Sequence, residues 1–138
     1  MSTRVNYNFT VPSLLEKAGR SRKRDPECGR NNAHTDHIVE LQLVVAALNT
    51  LRKDTYWSEG WLTRLVDFFN EGRNLQCLAS GRNQLKGTAV GKLIRGERLS
   101  NEDRKWIISI RDRWNTIGED LEGFKKFKRA LDAILDRV

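Results

Sequence analysis

The sequence predicts a mostly helical α+β domain. Apolar residues recur at helical spacing along most of the chain after residue 38, which is typical of helices that bury one face. Alternating and turn-rich stretches are short and few, so strands make a minor contribution. The 138 residues are 38% hydrophobic and include 4 Trp, 5 Phe and 2 Tyr, which is enough for one modest core. A single domain over residues 1–138 follows.

The N-terminal region predicts a strand, a short helix and a basic loop. Val5, Tyr7, Phe9 and Val11 alternate with polar residues, which is the pattern of a half-buried strand. Pro12 and Ser13 then open a short helix over residues 14–18. Residues 17–30 combine Gly and Pro with six basic side chains, so we expect an exposed basic loop.

The rest of the chain predicts five helices and one turn or short strand. The helices are expected at about residues 36–53, 58–70, 82–94, 101–114 and 121–135. Ser58 and Ser100 suit the N-terminal caps of two of them, and Asp103 completes a capping box with Ser100. A turn or short strand is expected between Gly72 and the helix that starts at residue 82.

The charge of the chain favours a polyanionic partner. It carries 25 Lys and Arg against 18 Asp and Glu, a net charge of +7, so nucleic acid is the leading partner class. The residues that we expect to contact phosphates are Arg22, Lys23, Arg24, Arg30 and Arg82. The sequence shows neither a signal peptide nor a membrane segment, so we expect no membrane partner and a cytoplasmic or non-classically released protein.

The cysteines exclude one class of metal site. Cys28 and Cys77 form no Cys-x-x-Cys pair, so a zinc site of four sulfurs is excluded, and a single bridge between the two remains open.

Two segments carry the residues of a catalytic site. The only histidines, His34 and His37, lie in residues 31–45 beside Asp36. Residues 74–87 then read Asn-Leu-Gln-x-Leu-x4-Asn-x-x-Lys-Gly. A neutral imidazole can accept a proton from water at neutral pH, and carboxylate and amide oxygens suit Mg²⁺ or Mn²⁺.

The Asp-His-Ile sequence at residues 36–38 together with the second segment resembles the active-site motif of the HNH nucleases of the His-Me finger superfamily. The resemblance implies a ββα-metal core whose first strand ends at the histidine. It makes His37 the general base, Asp36 and Asn83 the metal ligands, and Asn74 the residue that holds the histidine loop. Lys86 lies one helical turn after Asn83 and is expected to face the phosphate.

The sequence departs from the family in two ways. The Cys pairs that bind a structural zinc in many members are missing, so no structural zinc is expected. The segment between the motif halves, about residues 38–71, is longer than usual and reads as helical. We expect this helical insertion to replace the zinc as the staple of the unit, and helices from about 101 to 136 to complete the domain.

The resulting hypothesis is a metal-dependent endonuclease that hydrolyses phosphodiester bonds of DNA or RNA. Its small size and basic charge resemble toxin-type members of the family, which often have an inhibitor or immunity protein as a partner. The alternatives are a non-catalytic nucleic-acid or ribosome-binding protein and a ribosome-directed toxin of other chemistry. Glu40 is either an additional ligand or a solvated helix residue, and both interpretations stay open at this point.

Overall fold

The computed structural model describes residues 9–21, 28, 33–51 and 58–138 of the chain. It is predominantly helical, with one small antiparallel sheet, as the α+β prediction requires. The elements are α1 (Val11–Ala18), β1 (Ala33–His37), α2 (Leu41–Thr50), α3 (Glu59–Phe69), β2 (Leu75–Ala79), α4 (Ser80–Arg95), α5 (Asn101–Ile117) and α6 (Lys125–Leu135). None of the helices in this part of the chain combines the length and apolarity needed to cross a membrane.

The sheet joins the two motif halves. β1 and β2 run antiparallel, with Asp36 opposite Gln76 and His37 opposite Leu75. Helix α4 begins directly after β2 and packs against both strands. The result is a strand–strand–helix unit in which the end of β1 lies beside the first turns of α4.

The predicted helix over residues 36–53 is wrong at its start. Asp36 and His37 belong to β1, and the helix spans only Leu41–Thr50. The cause is long-range pairing, because the backbone groups of these residues form the ladder with β2. The pairing continues with a hydrogen bond of 2.7 Å from Ile38 N to the Asn74 carbonyl oxygen.

Of the three N-terminal elements predicted, the structure shows the helix, while most of the strand and of the basic loop lies outside the described residues. The helix over residues 14–18 is confirmed and starts earlier, at Val11, because Thr10 and Ser13 form a capping box. Val11 is therefore helical rather than part of a strand, and residues 5–8 of the predicted strand lie outside the described residues. Of the predicted basic loop, residues 22–27 and 29–30 also lie outside them.

The core is built around α2, which contacts α1, α4 and α6. Six of its ten residues are buried, as expected of a helix that is apolar on most of its circumference. Helix α3 starts at the predicted Ser58 cap and buries residues such as Leu65 and Phe69. The insertion between the motif halves is thus part of the main core.

The C-terminal helices follow the prediction. The capping box of Ser100 and Asp103 is present at the start of α5. The last helix begins later than expected, at Lys125, after Phe124 with a positive φ of 54°. Trp114 is buried, with its ring centroid 5.8 Å from that of Phe69, so α5 packs on the insertion.

Cys28 and Cys77 form a disulfide bond, which is the single bridge that the sequence allowed. Cys77 lies in β2, and the two Cα atoms are 5.5 Å apart. The bond spans 49 positions of sequence and encloses β1, α2 and α3. It therefore ties the segment before the first motif half to the strand of the second.

Loss of this disulfide is expected to lower the free energy of unfolding by about 2–4 kcal/mol, because the bridge restricts a long loop of the unfolded chain. Urea unfolding with and without a phosphine reductant measures the effect. The matched control is the double variant Cys28→Ser, Cys77→Ser, whose unfolding should not respond to the reductant. Equal midpoints for oxidised and reduced wild-type protein would contradict the expectation.

Candidate functional site

The two motif halves meet at a pocket of about 330 Å³. Asp36 and His37 reach it from the end of β1, and Asn83 reaches it from the first turn of α4. The complete lining is Val11, Thr35, Asp36, His37, Glu40, Leu41, Gln42 and Asn83. Three of the predicted site residues therefore share one cavity.

The two carboxylate oxygens of Asp36 differ in their hydrogen bonds. Its side chain is 5% exposed, and Oδ2 accepts hydrogen bonds from Lys86 Nζ at 2.6 Å and from Gln76 Nε2 at 2.9 Å. Within the described part of the chain, Oδ1 accepts no hydrogen bond. One carboxylate oxygen is thus fixed, while the second is free to meet a ligand in the pocket.

Lys86 is placed differently from the sequence expectation that it faces a phosphate. Its side chain is 1% exposed, and Nζ donates to Asp36 Oδ2 and to the His37 carbonyl oxygen at 2.7 Å. Helix α4 packs on β1 through this contact, so the ammonium group lies buried between the helix and the strand. The structure assigns Lys86 the part of an internal counter-ion that anchors residues 36 and 37.

Glu40 is mostly buried rather than solvated. Its Oε1 accepts a hydrogen bond from Gln42 Nε2 at 2.5 Å. Its Oε2 is buried, has no hydrogen-bond partner among the described residues and lies 3.7 Å from Lys86 Nζ. Burial raises the pKa of this carboxyl, and the charge of Lys86 opposes that shift in part. Two carboxylates therefore share one ammonium group beside the pocket.

Glu40→Gln is expected to change how stability depends on pH. The raised pKa means that ionisation of Glu40 costs the folded state more free energy than the unfolded state. The neutral carboxyl therefore contributes stability at low pH, and this contribution is lost as pH rises through the folded pKa. Glutamine cannot ionise, so the variant should gain stability relative to wild type at about pH 8 and not at about pH 4. Urea unfolding in EDTA at both pH values measures the difference, and a pH-independent difference would contradict the expectation.

His37 ends β1 and is oriented by a residue of the insertion. The residue is 6% exposed, and its Nε2 lies 2.7 Å from Oδ1 of Asn70, the residue that follows α3. Asn70 is not among the site residues that the sequence predicts. A polar residue at the end of a helix is typical of a cap, and nothing in its local sequence signals a contact with a residue on another element.

Asn74 is fully buried and bonds three backbone groups. Its Oδ1 accepts from Val39 N at 2.8 Å, and its Nδ2 donates to the carbonyl oxygens of Val39 at 3.1 Å and Phe69 at 2.9 Å. The side chain thereby ties the turn after His37 to the end of α3. The turn that presents the histidine is held from the buried side.

The oxygen atoms at the pocket suit a hard divalent cation. Asp36 Oδ1 and the Asn83 side chain make no hydrogen bonds with the described residues, and Glu40 Oε2 supplies further negative charge near them. In the same part of the chain, no group of three or more His, Cys, Asp or Glu side chains is placed to hold a metal ion. A cation here would therefore need Asn83 and water as ligands beside Asp36.

Of the five residues predicted to contact phosphates, the structure describes one, Arg82. Arg82 is exposed near the start of α4, with its guanidinium carbon 5.3 Å from the centroid of the Trp106 ring. The other four, Arg22, Lys23, Arg24 and Arg30, lie outside the described residues. His34 is exposed on β1 and does not line the pocket.

No family model, curated protein or solved structure significantly matches the chain.

Proposed function

We propose that the protein is a metal-dependent endonuclease that hydrolyses phosphodiester bonds of DNA or RNA. One observation carries the proposal: Asp36 and His37 from the first motif half and Asn83 from the second line the same pocket. The strand–strand–helix unit would then be a ββα-metal core of the His-Me finger type, with β1, β2 and α4 as its elements.

The proposed reaction needs a proton acceptor and stabilisation of charge. His37 accepts the proton of the attacking water, which a neutral imidazole can do near neutral pH. Asp36 and Asn83 would hold Mg²⁺ or Mn²⁺, which supplies stabilisation of the charge that develops on the phosphate oxygens. Lys86 keeps Asp36 and the His37 backbone in place from beneath the strand.

The charges around the pocket support a cation. Asp36 and Glu40 have only Lys86 as a cationic partner among the described ion pairs, so the three side chains carry one net negative charge when both carboxyls are ionised. A divalent ion at the open face of Asp36 would offset this excess.

A larger groove beside the site offers room for the polymer. It has a volume of about 620 Å³ and is lined by Ile38, the residue after His37, and by Gln76, whose side chain donates a hydrogen bond to Asp36. Lys105 and Arg113 of α5 also line it, together with the carboxylate of Asp112. Together with the net charge of +7, these cations support binding of a polyanion that weakens as salt is raised.

One observation favours a second candidate, a nucleic-acid-binding protein without cleavage activity. Lys86 already provides Asp36 with a buried positive charge, and a carboxylate paired in this way can be structural. The pocket would then have the arrangement of a nuclease site without its activity. Binding without cleavage by the wild-type protein would favour this candidate.

The test is incubation of the purified protein with supercoiled plasmid DNA and with total RNA, each in Mg²⁺, Mn²⁺ or EDTA. We expect loss of at least one substrate in the presence of metal and none in EDTA. Intact DNA and RNA under all conditions, with measurable binding of either, would contradict the proposal. Cleavage that persists in EDTA would contradict the metal-dependent mechanism.

A further inference from the structure

We propose that Asn70 is the positioning residue that fixes the tautomer and orientation of His37. It lies just after α3, in the helical insertion and outside both motif halves. The inference rests on the proposed function for its catalytic meaning. Its structural content is a hydrogen bond between Asn70 and Nε2 of His37, which does not depend on any activity.

The direction of the hydrogen bond follows from the partners of the Asn70 amide. Nδ2 is a donor and points to the carbonyl oxygen of Ser21 at 3.3 Å, so Oδ1 is the atom that faces His37. An amide oxygen only accepts hydrogen bonds. Nε2 of His37, at 2.7 Å, therefore carries the proton, and Nδ1 carries the lone pair of the neutral ring.

The position of Asn70 is fixed by the fold around it. Its backbone N–H bonds the Val66 carbonyl in the last turn of α3 at 3.0 Å. The preceding residue, Phe69, is fully buried in the core and gives its carbonyl oxygen to Asn74. The end of α3 is thus held from the core and from the turn that follows His37, and Asn70 projects from this fixed point onto the imidazole.

The consequence for the reaction is that Nδ1 is the nitrogen that accepts the proton from water. A histidine whose second nitrogen is bonded in this way keeps one ring orientation and one tautomer. Asn70 thereby makes the insertion a functional part of the site, in addition to its role in the core.

Nuclear magnetic resonance tests this assignment directly on the free protein. The chain has only two histidines, so the variant His34→Gln leaves the His37 ring as the sole imidazole signal. We expect wild-type His37 to be protonated at Nε2, with a protected ring N–H signal. Asn70→Ala should lose this protection, whereas Asn70→Asp, which keeps an acceptor oxygen, should retain it.

Cleavage kinetics then test the functional part. Asn70→Ala is expected to lower kcat by about 10- to 100-fold, a loss of the size found when metal-bound histidines lose their second hydrogen-bond partner, with unchanged affinity for nucleic acid in EDTA. Asn70→Asp should recover part of the rate. The matched control is Asn115→Ala on α5, an exposed asparagine that should change neither readout.

The outcomes separate the two proposals. Protonation of wild-type His37 at Nδ1, or a ring N–H signal unchanged in Asn70→Ala, would overturn the role of Asn70 whether or not the protein cleaves nucleic acid. Nε2 protonation that depends on Asn70 would support the positioning role even in a protein that only binds. Wild-type kcat in Asn70→Ala with the hydrogen bond lost would overturn its contribution to the reaction.

Discussion

Replacing His37 by alanine is expected to lower the cleavage rate by about 10²- to 10⁴-fold, the usual contribution of a general base. Among the described side chains that line the pocket, the imidazole is the one neutral base, and it ends the strand that also carries Asp36. Alanine removes the acceptor and leaves the side chains of Asp36, Asn83 and Lys86 unchanged. Binding of nucleic acid should therefore persist.

The measurement is single-turnover cleavage of the substrate that wild-type protein degrades, beside fluorescence anisotropy in EDTA to follow binding. His34→Ala is a matched control, because His34 lies on the same strand, is exposed and does not line the pocket. It should cleave at the wild-type rate. Full activity of His37→Ala would contradict the assigned role of the histidine.

Lys86→Met is expected to lower the free energy of unfolding by about 3–5 kcal/mol, the cost of breaking a buried ion pair from one side. Methionine fills similar space but cannot donate to Asp36 Oδ2 or to the His37 carbonyl oxygen. Within the described part of the chain, Asp36 is then left with only Gln76 as a donor, and Glu40 loses its nearby cation. The affected residues are those that the proposed reaction needs.

Urea unfolding of the oxidised protein in EDTA measures this loss. Lys92→Met is the matched control on the same helix, because Lys92 is 35% exposed and its partner Asp103 keeps a hydrogen bond from Ser100 N without it. We expect that change to cost about 0–1 kcal/mol. Equal effects of the two substitutions would contradict the view that Lys86 is a buried counter-ion.

The sequence predicted the elements with strong local signals. The caps at Ser58 and Ser100 and the apolar stripe of α6 act within one or two turns, so the chain near them contains the information. The start of α2 was misplaced because residues 36 and 37 pair with β2, and the register of such a ladder depends on residues far along the chain.

The same distinction applies to the site. The motif placed Asp36, His37 and Asn83 together, and the structure brings them to one pocket. Lys86 was expected at the phosphate because its spacing from Asn83 fits one helical turn, but α4 packs with that side against β1. The contact of Asn70 with His37 depends on how α3 packs, which no local pattern encodes.

The most direct test of the central claim, that Asp36, His37 and Asn83 form one metal-dependent site, is equilibrium binding of Mn²⁺ to wild-type protein and single variants. Asp36→Asn and Asn83→Ala should each weaken binding by about tenfold or more, because each alters an oxygen ligand. His37→Ala should bind Mn²⁺ as wild type does, while cleaving about 10²- to 10⁴-fold more slowly. Equal Mn²⁺ affinity in all four proteins, or no binding to any, would contradict the account.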